Sequence, residues 1–519
     1  MTPSVPARPV VLRRTAPVGT QPPWVVLGLL SAAIAFTAGA FLSDRLLVTA
    51  VAVVFMAIAG TIVFYKPHVG IIVIMTTMLV SYPSALRGIG PFTINNLLGM
   101  TLVAILLIQI YRNGDYWFLR EPEIRVLLVI AGLLLFTYVL SIFFLPNVKH
   151  MLPKVAMERG STSVYGEANV TPRFFFELFS RIAFTIFFVN WIRTPKQMRG
   201  VLILFALCII AVVPSLGSDV YKGVAETRIT SKLVGWAENA NRFAFMVNVG
   251  IALFVYLAHI TRSPLLKIAA FAGALGCIPL VLLSASRSGF LGMGIVGLML
   301  LASDVVPRRW KYISSIGGVT LAVIAFFFVI PQSTQERLLN LNPFNTEARE
   351  EGTRSTEQRL ATLEDAVIVI QKYPIFGVGL GNFRWFNMYL HGSWKPPHNS
   401  YVWSWAEGGI FTTISYLTLF AFLYARIQRL KPKYKDHPVL KNMPVWLNIY
   451  IVLLLFFSIF ADVWLEVHIY FLIAMSMVLS RWALDEELRS RGLPGVIAGT
   501  AAARRAAQRA LYRPRPAEA

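Results

Sequence analysis

From Trp24 to Ser480 the chain repeats one unit: an apolar run of about 17 to 25 residues, closed off by a few polar or charged ones. A helix of that length crosses roughly 30 Å of hydrocarbon, and only helices or closed barrels satisfy their backbone groups there. The mean hydropathy of +0.62, with 14% charged residues in 519, excludes a water-soluble globular protein of this size. The expected fold is an all-α polytopic membrane protein with about 12 to 14 transmembrane helices and one large polar loop.

The polar interruption sets the domain boundaries: a tail over 1–23, membrane helices 1 to 11 over 24–330, the large loop over 331–408, membrane helices 12 to 14 over 409–480, and a basic tail over 481–519. No cleavable leader is evident, because the Pro-rich start runs into a full-length first span. Expected spans include Trp24 to Leu42, Leu46 to Tyr65, Arg199 to Gly217 and Gly409 to Ile427. The last two are Val445 to Phe460 and Val463 to Ser480, joined by a very tight hairpin at Ala461-Asp462.

The net charge of +22 invites a nucleic-acid reading, but membrane topology accounts for it. With the N-terminus inside, a majority of the 48 Lys and Arg fall in alternate short segments such as Arg112 to Arg125, Arg308 to Lys311 and Arg426 to Lys441, as the positive-inside rule requires. The same parity puts Ser218 to Asn241, the turn Ser284 to Gly289 and the loop Gln332 to Gly408 on the outer face. Arginines there run against the topological bias, and binding of an anion explains them. No nucleic-acid partner is expected. Cys208 and Cys277 fall inside apolar spans, which argues against a disulfide or a metal site.

Within the loop, Leu360, Leu363, Val367 and Ile370 recur at helical spacing, while Glu364, Asp365 and Gln371 take the other side. An amphipathic helix over Thr353 to Lys372 follows, stopped by Pro374 and lying on the membrane or on the bundle. Gly377-Val-Gly379-Leu-Gly381 lacks the Lys-Ser/Thr of a nucleotide phosphate loop and reads as a tight turn that lets backbone approach closely.

Three outward positions carry chemistry. Arg287 ends a span between small hydroxyl residues in Ser284-Ala-Ser-Arg-Ser-Gly289; it is either a snorkelling interfacial arginine or a fork of donors for a phosphate. Arg228 is either a solvated loop charge or a second such group. His398, in Pro397-His-Asn-Ser400, is an imidazole placed to take a proton from a sugar hydroxyl. Glu407 either orients it or caps the next helix. Glu177 and Arg181, at i and i+4 in a span, form either a structural clamp or part of a cavity wall, and Asp462 is a candidate of the same kind.

Taken in order, Arg228, Gly235, Asn239-Ala-Asn241-Arg-Phe-Ala244, the Ser-Arg-Ser-Gly junction, Pro374-x-Phe-Gly-x-Gly-x-Gly and His398-Asn followed by Glu407-x-Gly resemble the bacterial O-antigen ligase and polymerase superfamily over roughly Phe174 to Ile427. The resemblance implies a GT-C-type glycosyltransferase of the inner membrane. It would use a polyprenyl-pyrophosphate-linked oligosaccharide, such as an undecaprenyl pyrophosphate, at the periplasmic face in surface polysaccharide or lipopolysaccharide synthesis, with no cofactor and no obligatory metal. By the same resemblance Arg228 and Arg287 would grip the pyrophosphate and His398 would activate the acceptor hydroxyl, on a glycan or on lipid A core. A polymerase that joins lipid-linked repeats, a protein O-oligosaccharyltransferase and a lipid-linked glycan transporter are the rival readings. A transporter would distribute paired charges through similar halves, whereas charge here gathers on one face.

Overall fold

The computed structural model describes residues 61–63, 65–79, 94–113, 117–144, 170–211, 239–305, 308–328, 335, 349–391, 395–437 and 439–490. The first expected span, most of the second, both tails and Arg228 lie outside the described residues. The chain divides into two compact units, Met1–Tyr65 and Lys66–Ala519. In the first, residues 61–63 and 65 are helical; the second carries every helix from Pro67 onward.

No strand occurs among the described residues. The helices are α1 (Pro67–Leu79), α2 (Ile94–Asn113), α3 (Pro122–Phe144), α4 (Val170–Trp191), α5 (Pro195–Ile210), α6 (Ala240–Ile260) and α7 (Pro264–Leu283). They continue as α8 (Arg287–Ala302), α9 (Arg308–Phe328), α10 (Arg349–Lys372), α11 (Phe383–His391), α12 (Ser400–Lys433), α13 (Met443–Phe457) and α14 (Val467–Ser490). Six of them are long and apolar enough to cross a membrane: α3, α4, α6, α7, α12 and α14. Shorter apolar helices lie in α1, α2, α8 and α13. The chain is thus an all-α polytopic membrane protein, and among the described residues a helix overlaps each apolar run from Pro67 onward.

Helix α6 is the axis of the bundle, buried on nearly every side between α5, α7, α8 and α13. Its contact with α8 is close because Gly289 faces Ala244: a Cβ there would lie 2.5 Å from that of Ala244. Asn248 uses the space to donate to the Gly289 carbonyl at 2.9 Å. Small residues and a side-chain hydrogen bond are how helices associate when hydrocarbon offers no hydrophobic drive. Helices α7 and α9 instead show Leu265, Ile268, Tyr312, Ile316 and Phe328 to the surroundings, as lipid-facing helices must.

One open expectation is narrowed and two need correction. The stripe Leu360/Val367 on α10 faces outward, Leu360 being 55% exposed, while Thr362, Asp365, Ala366 and Val369 are buried against α11 and α12. Asp365 therefore belongs to the inner face. The sequence left this helix on the membrane or on the bundle; at the edge of a membrane it does both, burying its small and polar face on the bundle and turning its greasy face outward. The hairpin at Ala461-Asp462 is not tight: residues 458–466 form an irregular turn between α13 and α14. Finally, the span expected from Gly409 is the lower part of α12, which starts at Ser400 and kinks at Gly409, where φ is 72°. A Cβ at Gly409 would sit 2.0 Å from the Ile375 carbonyl oxygen, so the kink and the Pro374 turn require glycine here.

Candidate functional site

The motif residues turn out to be helix N-termini. Asn239 caps α6 by accepting from the amides of Asn241 and Arg242; Ser286 caps α8 by accepting from Gly289 N; Asn399 caps α12 by accepting from Tyr401 and Val402 N. Each cap also leaves an amide-rich, positively polarised helix end.

Hydrogen bonds tie these three ends together. Ser286 Oγ donates to Asn241 Oδ1 at 2.8 Å, joining α8 to α6. Asn241 Nδ2 donates to Phe460 O at 3.1 Å and Arg242 to Asp462 O at 3.0 Å, joining α6 to the 458–466 turn. Ser400 closes the ring from α12: its Oγ donates to Ala461 O at 2.7 Å and accepts from Val463 N at 2.8 Å, while its amide donates to Ser458 O.

Clamped on both sides by Ser400, Asp462 presents its carboxylate to His398: Nδ1 to Oδ2 is 2.9 Å. Asp462 is 6% exposed and His398 22%. The imidazole therefore keeps its proton on Nδ1 as a donor to the carboxylate, and Nε2 is left as the acceptor. His398 holds a left-handed backbone, φ 53°, between Pro397 and the capping Asn399. A residue other than glycine costs about 1–3 kcal/mol in such a conformation, and such strain concentrates at functional sites.

Arg287 is exposed at the first position of α8, where Ala285, with φ 49°, turns the chain out of α7. Among the described residues it makes no ion pair within 4.0 Å. The serines beside it serve the Asn241 link and the α8 cap rather than its guanidinium.

A chain of opposite charges runs from this point into the bundle. Arg242 pairs with Glu466 at 2.8 Å, Arg181 also acts on Glu466, and Arg181 pairs with Glu177 at 3.0 Å. The i, i+4 pair expected in α4 thus meets α14 and belongs to a larger network. Glu407 does not serve His398. It is fully buried beside the turn of Gly377, Gly379 and Gly381, where its Oε1 accepts from Phe383 N at the start of α11. The backbone of this turn donates to Ala406 O and Glu407 O from Val378 and Gly379. A Cβ on Gly377 would lie 2.6 Å from the Glu407 carbonyl carbon. The glycine motif is a backbone seam that fixes the kinked start of α12.

Sequence reading missed Arg242, Glu466 and Arg359. Arg242 sits in the quoted Asn-x-Asn-Arg motif on the side expected to face outward, and Glu466 is a charge inside an expected span, the same signals that selected Arg287 and Glu177. Arg359 is half-buried on α10, in electrostatic contact with Asp462 and Arg287. Burial pushes its guanidinium below the ordinary arginine value, Asp462 opposes that shift and Arg287 adds to it.

One end of the bundle therefore collects caps, a histidine–aspartate pair and cations without ion-pair partners among the described residues. Residues 272–417 match the O-antigen ligase family. The O-antigen ligase match takes in Arg287, Arg359, the glycine turn, His398 and Glu407. Glu177, Arg181, Arg228, Arg242, Asp462 and Glu466 lie outside it. The resemblance to the O-antigen ligase and polymerase superfamily read from the motifs holds over this stretch. No curated protein matches the chain. An O-antigen ligase type of segment implies a membrane enzyme of the ligase or polymerase kind, with a lipid-linked glycan and an acceptor as partners.

Proposed function

We propose that this protein transfers a glycan from a polyprenyl-pyrophosphate donor to an acceptor hydroxyl at the periplasmic face of the bacterial inner membrane, in the manner of an O-antigen ligase. The observation that carries this reading is the His398–Asp462 pair, with an exposed Arg287 that makes no ion pair among the described residues.

Asp462 holds the tautomer in which His398 Nε2 is free. The acceptor oxygen attacks the anomeric carbon as Nε2 takes its proton; the bond from that carbon to the pyrophosphate oxygen breaks, and polyprenyl pyrophosphate leaves with the electron pair. Arg287, with Arg228 as a second grip, stabilises the charge gathering on the leaving group, and the capped N-termini of α6, α8 and α12 add to that field. The lipid tail stays among the helices while the head group enters the site from the outer face.

In this reading 331–408 is the periplasmic catalytic loop and both termini are cytoplasmic. A cysteine at Ser333 should react with a membrane-impermeant reagent on intact spheroplasts. Protection there, with labelling near Arg429, would reverse the topology. The functional test is the glycan made by a deletion strain. Loss of all attached polymer supports ligation; attachment of single repeats assigns the enzyme to polymerisation instead; unchanged surface glycan with lipid-linked donor trapped inside would make it a transporter.

A further inference from the structure

The Asp462 carboxylate is aimed by very little of its own. Oδ2 accepts from His398, while Oδ1 is buried and has no hydrogen-bond partner among the described residues. A carboxylate that no second donor orients takes its direction from its backbone, so whatever holds the 462 peptide decides whether the imidazole meets its partner. Ser400 grips the neighbours, Ala461 O and Val463 N, and Asn241 grips Phe460 O. Among these contacts Arg242 alone reaches the Asp462 carbonyl itself, at 3.0 Å.

The same guanidinium pairs with Glu466 Oε1 at 2.8 Å, so one planar fork spans the turn from 462 to 466. It stands on a firm base, because α6 is buried along nearly its whole length and Asn239 caps its start. Arg242 lies in the first turn of α6, where the helix dipole disfavours a cation, so local helix energetics do not account for it. Glu466 offsets that penalty, and immediately before α14 a carboxylate is itself favoured. With the two charges cancelling, the fork fixes the Asp462 peptide and adds no net charge beside the histidine.

We propose that Arg242 is a positioning residue: through the Asp462 carbonyl, and steadied by Glu466, it aims the Asp462 carboxylate at His398 Nδ1 and so holds the imidazole in the tautomer that leaves Nε2 free. What that tautomer is for rests on the function proposed above; that Arg242 sets it does not. The competing role is a tie between α6 and the turn that adds stability alone.

Nitrogen NMR of the full-length protein, isotope-labelled at histidine and held in lipid nanodiscs, reads the tautomer of His398, whose signal is assigned by its loss in His398→Gln. Wild type, Arg242→Gln, Arg242→Lys, Glu466→Gln and Asp462→Asn are compared, with steady-state transfer and thermal unfolding measured on each. Arg242→Gln should mix the two tautomers and lower kcat by roughly tenfold to hundredfold at unchanged donor KM, since a misplacement of about 1 Å can cost that much. Arg242→Lys, whose single ammonium cannot serve both partners as the fork does, should recover part of each. Adding Arg242→Gln to Asp462→Asn should lower kcat no further, because residues that act through one contact are not additive. Should Arg242→Gln fail to fold, Glu466→Gln carries the test, with the same mixing in smaller measure. A wild-type tautomer in the folded variant, or full additivity with Asp462→Asn, would overturn the proposal and leave the tie. A raised donor KM at the wild-type tautomer would overturn it too and make Arg242 a substrate contact. Mixed tautomers in Arg242→Gln of a protein whose wild type transfers no glycan would uphold the positioning role and remove the proposed function. Transfer by the wild type with a tautomer indifferent to Arg242 would do the reverse.

Discussion

Helix α12 carries a charge cluster at each end, and the two are built on opposite plans. Near its C-terminal end Arg426 meets two carboxylates, Glu123 at 2.7 Å and Glu121 at 3.3 Å, with Glu123 fully buried. The guanidinium is surrounded by counter-charge, and the cluster ties α12 to the start of α3. At the N-terminal end, His398 and Asp462 make one contact while Arg287 and Arg359 stand without ion pairs among the described residues. A cluster whose cation already faces two carboxylates gains little from a further anion, whereas one whose cations lack ion pairs among the described residues keeps charge available for one. The difference separates a structural clamp from a site on the same helix.

The comparison breaks most visibly at His398. Its replacement by Ala removes general-base assistance, typically worth about 10²–10⁴ in rate, so transfer should nearly vanish while donor binding persists. His391→Ala, at the end of α11, should stay active. Loss of donor binding in His398→Ala, with normal turnover of whatever donor still binds, would move the histidine to the donor side.

A smaller effect is expected at Arg287. The Lys variant keeps a charge and loses the fork, and activity should fall by about tenfold or more at unchanged protein level in the membrane. Near-normal activity would leave Arg287 an interfacial anchor and the N-terminal cluster no more open than the other.

Ser400 sharpens the contrast, because it aims Asp462 without touching substrate. Ser400→Ala removes two hydrogen bonds of about 0.5–1.5 kcal/mol each from the 461–463 turn, so kcat should drop by about tenfold and Ser400→Thr should restore part of it. Unchanged kcat in Ser400→Ala would show that the turn holds its own register.

The smallest effect on turnover belongs to the closed cluster. Arg426→Met strands a buried carboxylate and should cost about 3–5 kcal/mol in stability, seen as a lower unfolding temperature in detergent, with specific activity of the folded protein unchanged. A fall in kcat without a fall in stability would make that end functional too.

Apolar run length fixed the class of fold by itself, because the bilayer imposes one element length and permits one kind of backbone pairing. It therefore placed the apolar helices from α1 onward, with ends that differ from the observed ones by up to about ten residues. His398, Arg287 and the Asn-x-Asn motif were legible as candidates because polar groups stand out at span ends, but that Asn239 caps a helix there was not. Sequence could not say which of them meet. Asp462 lies 64 positions beyond His398 and touches it only because Ser400, Asn241 and Arg242 draw the 458–466 turn onto two helix starts. Nor could periodicity orient α10: a stripe of Leu and Val looks the same whether it faces a protein core or lipid, and only packing against α11 and α12 turned the other face inward and brought Arg359 to the site. Local pattern follows from near neighbours in the chain, whereas a site assembled from α6, α8, α10, α12 and the α13–α14 turn depends on contacts between distant segments that hydrogen-bond geometry alone selects.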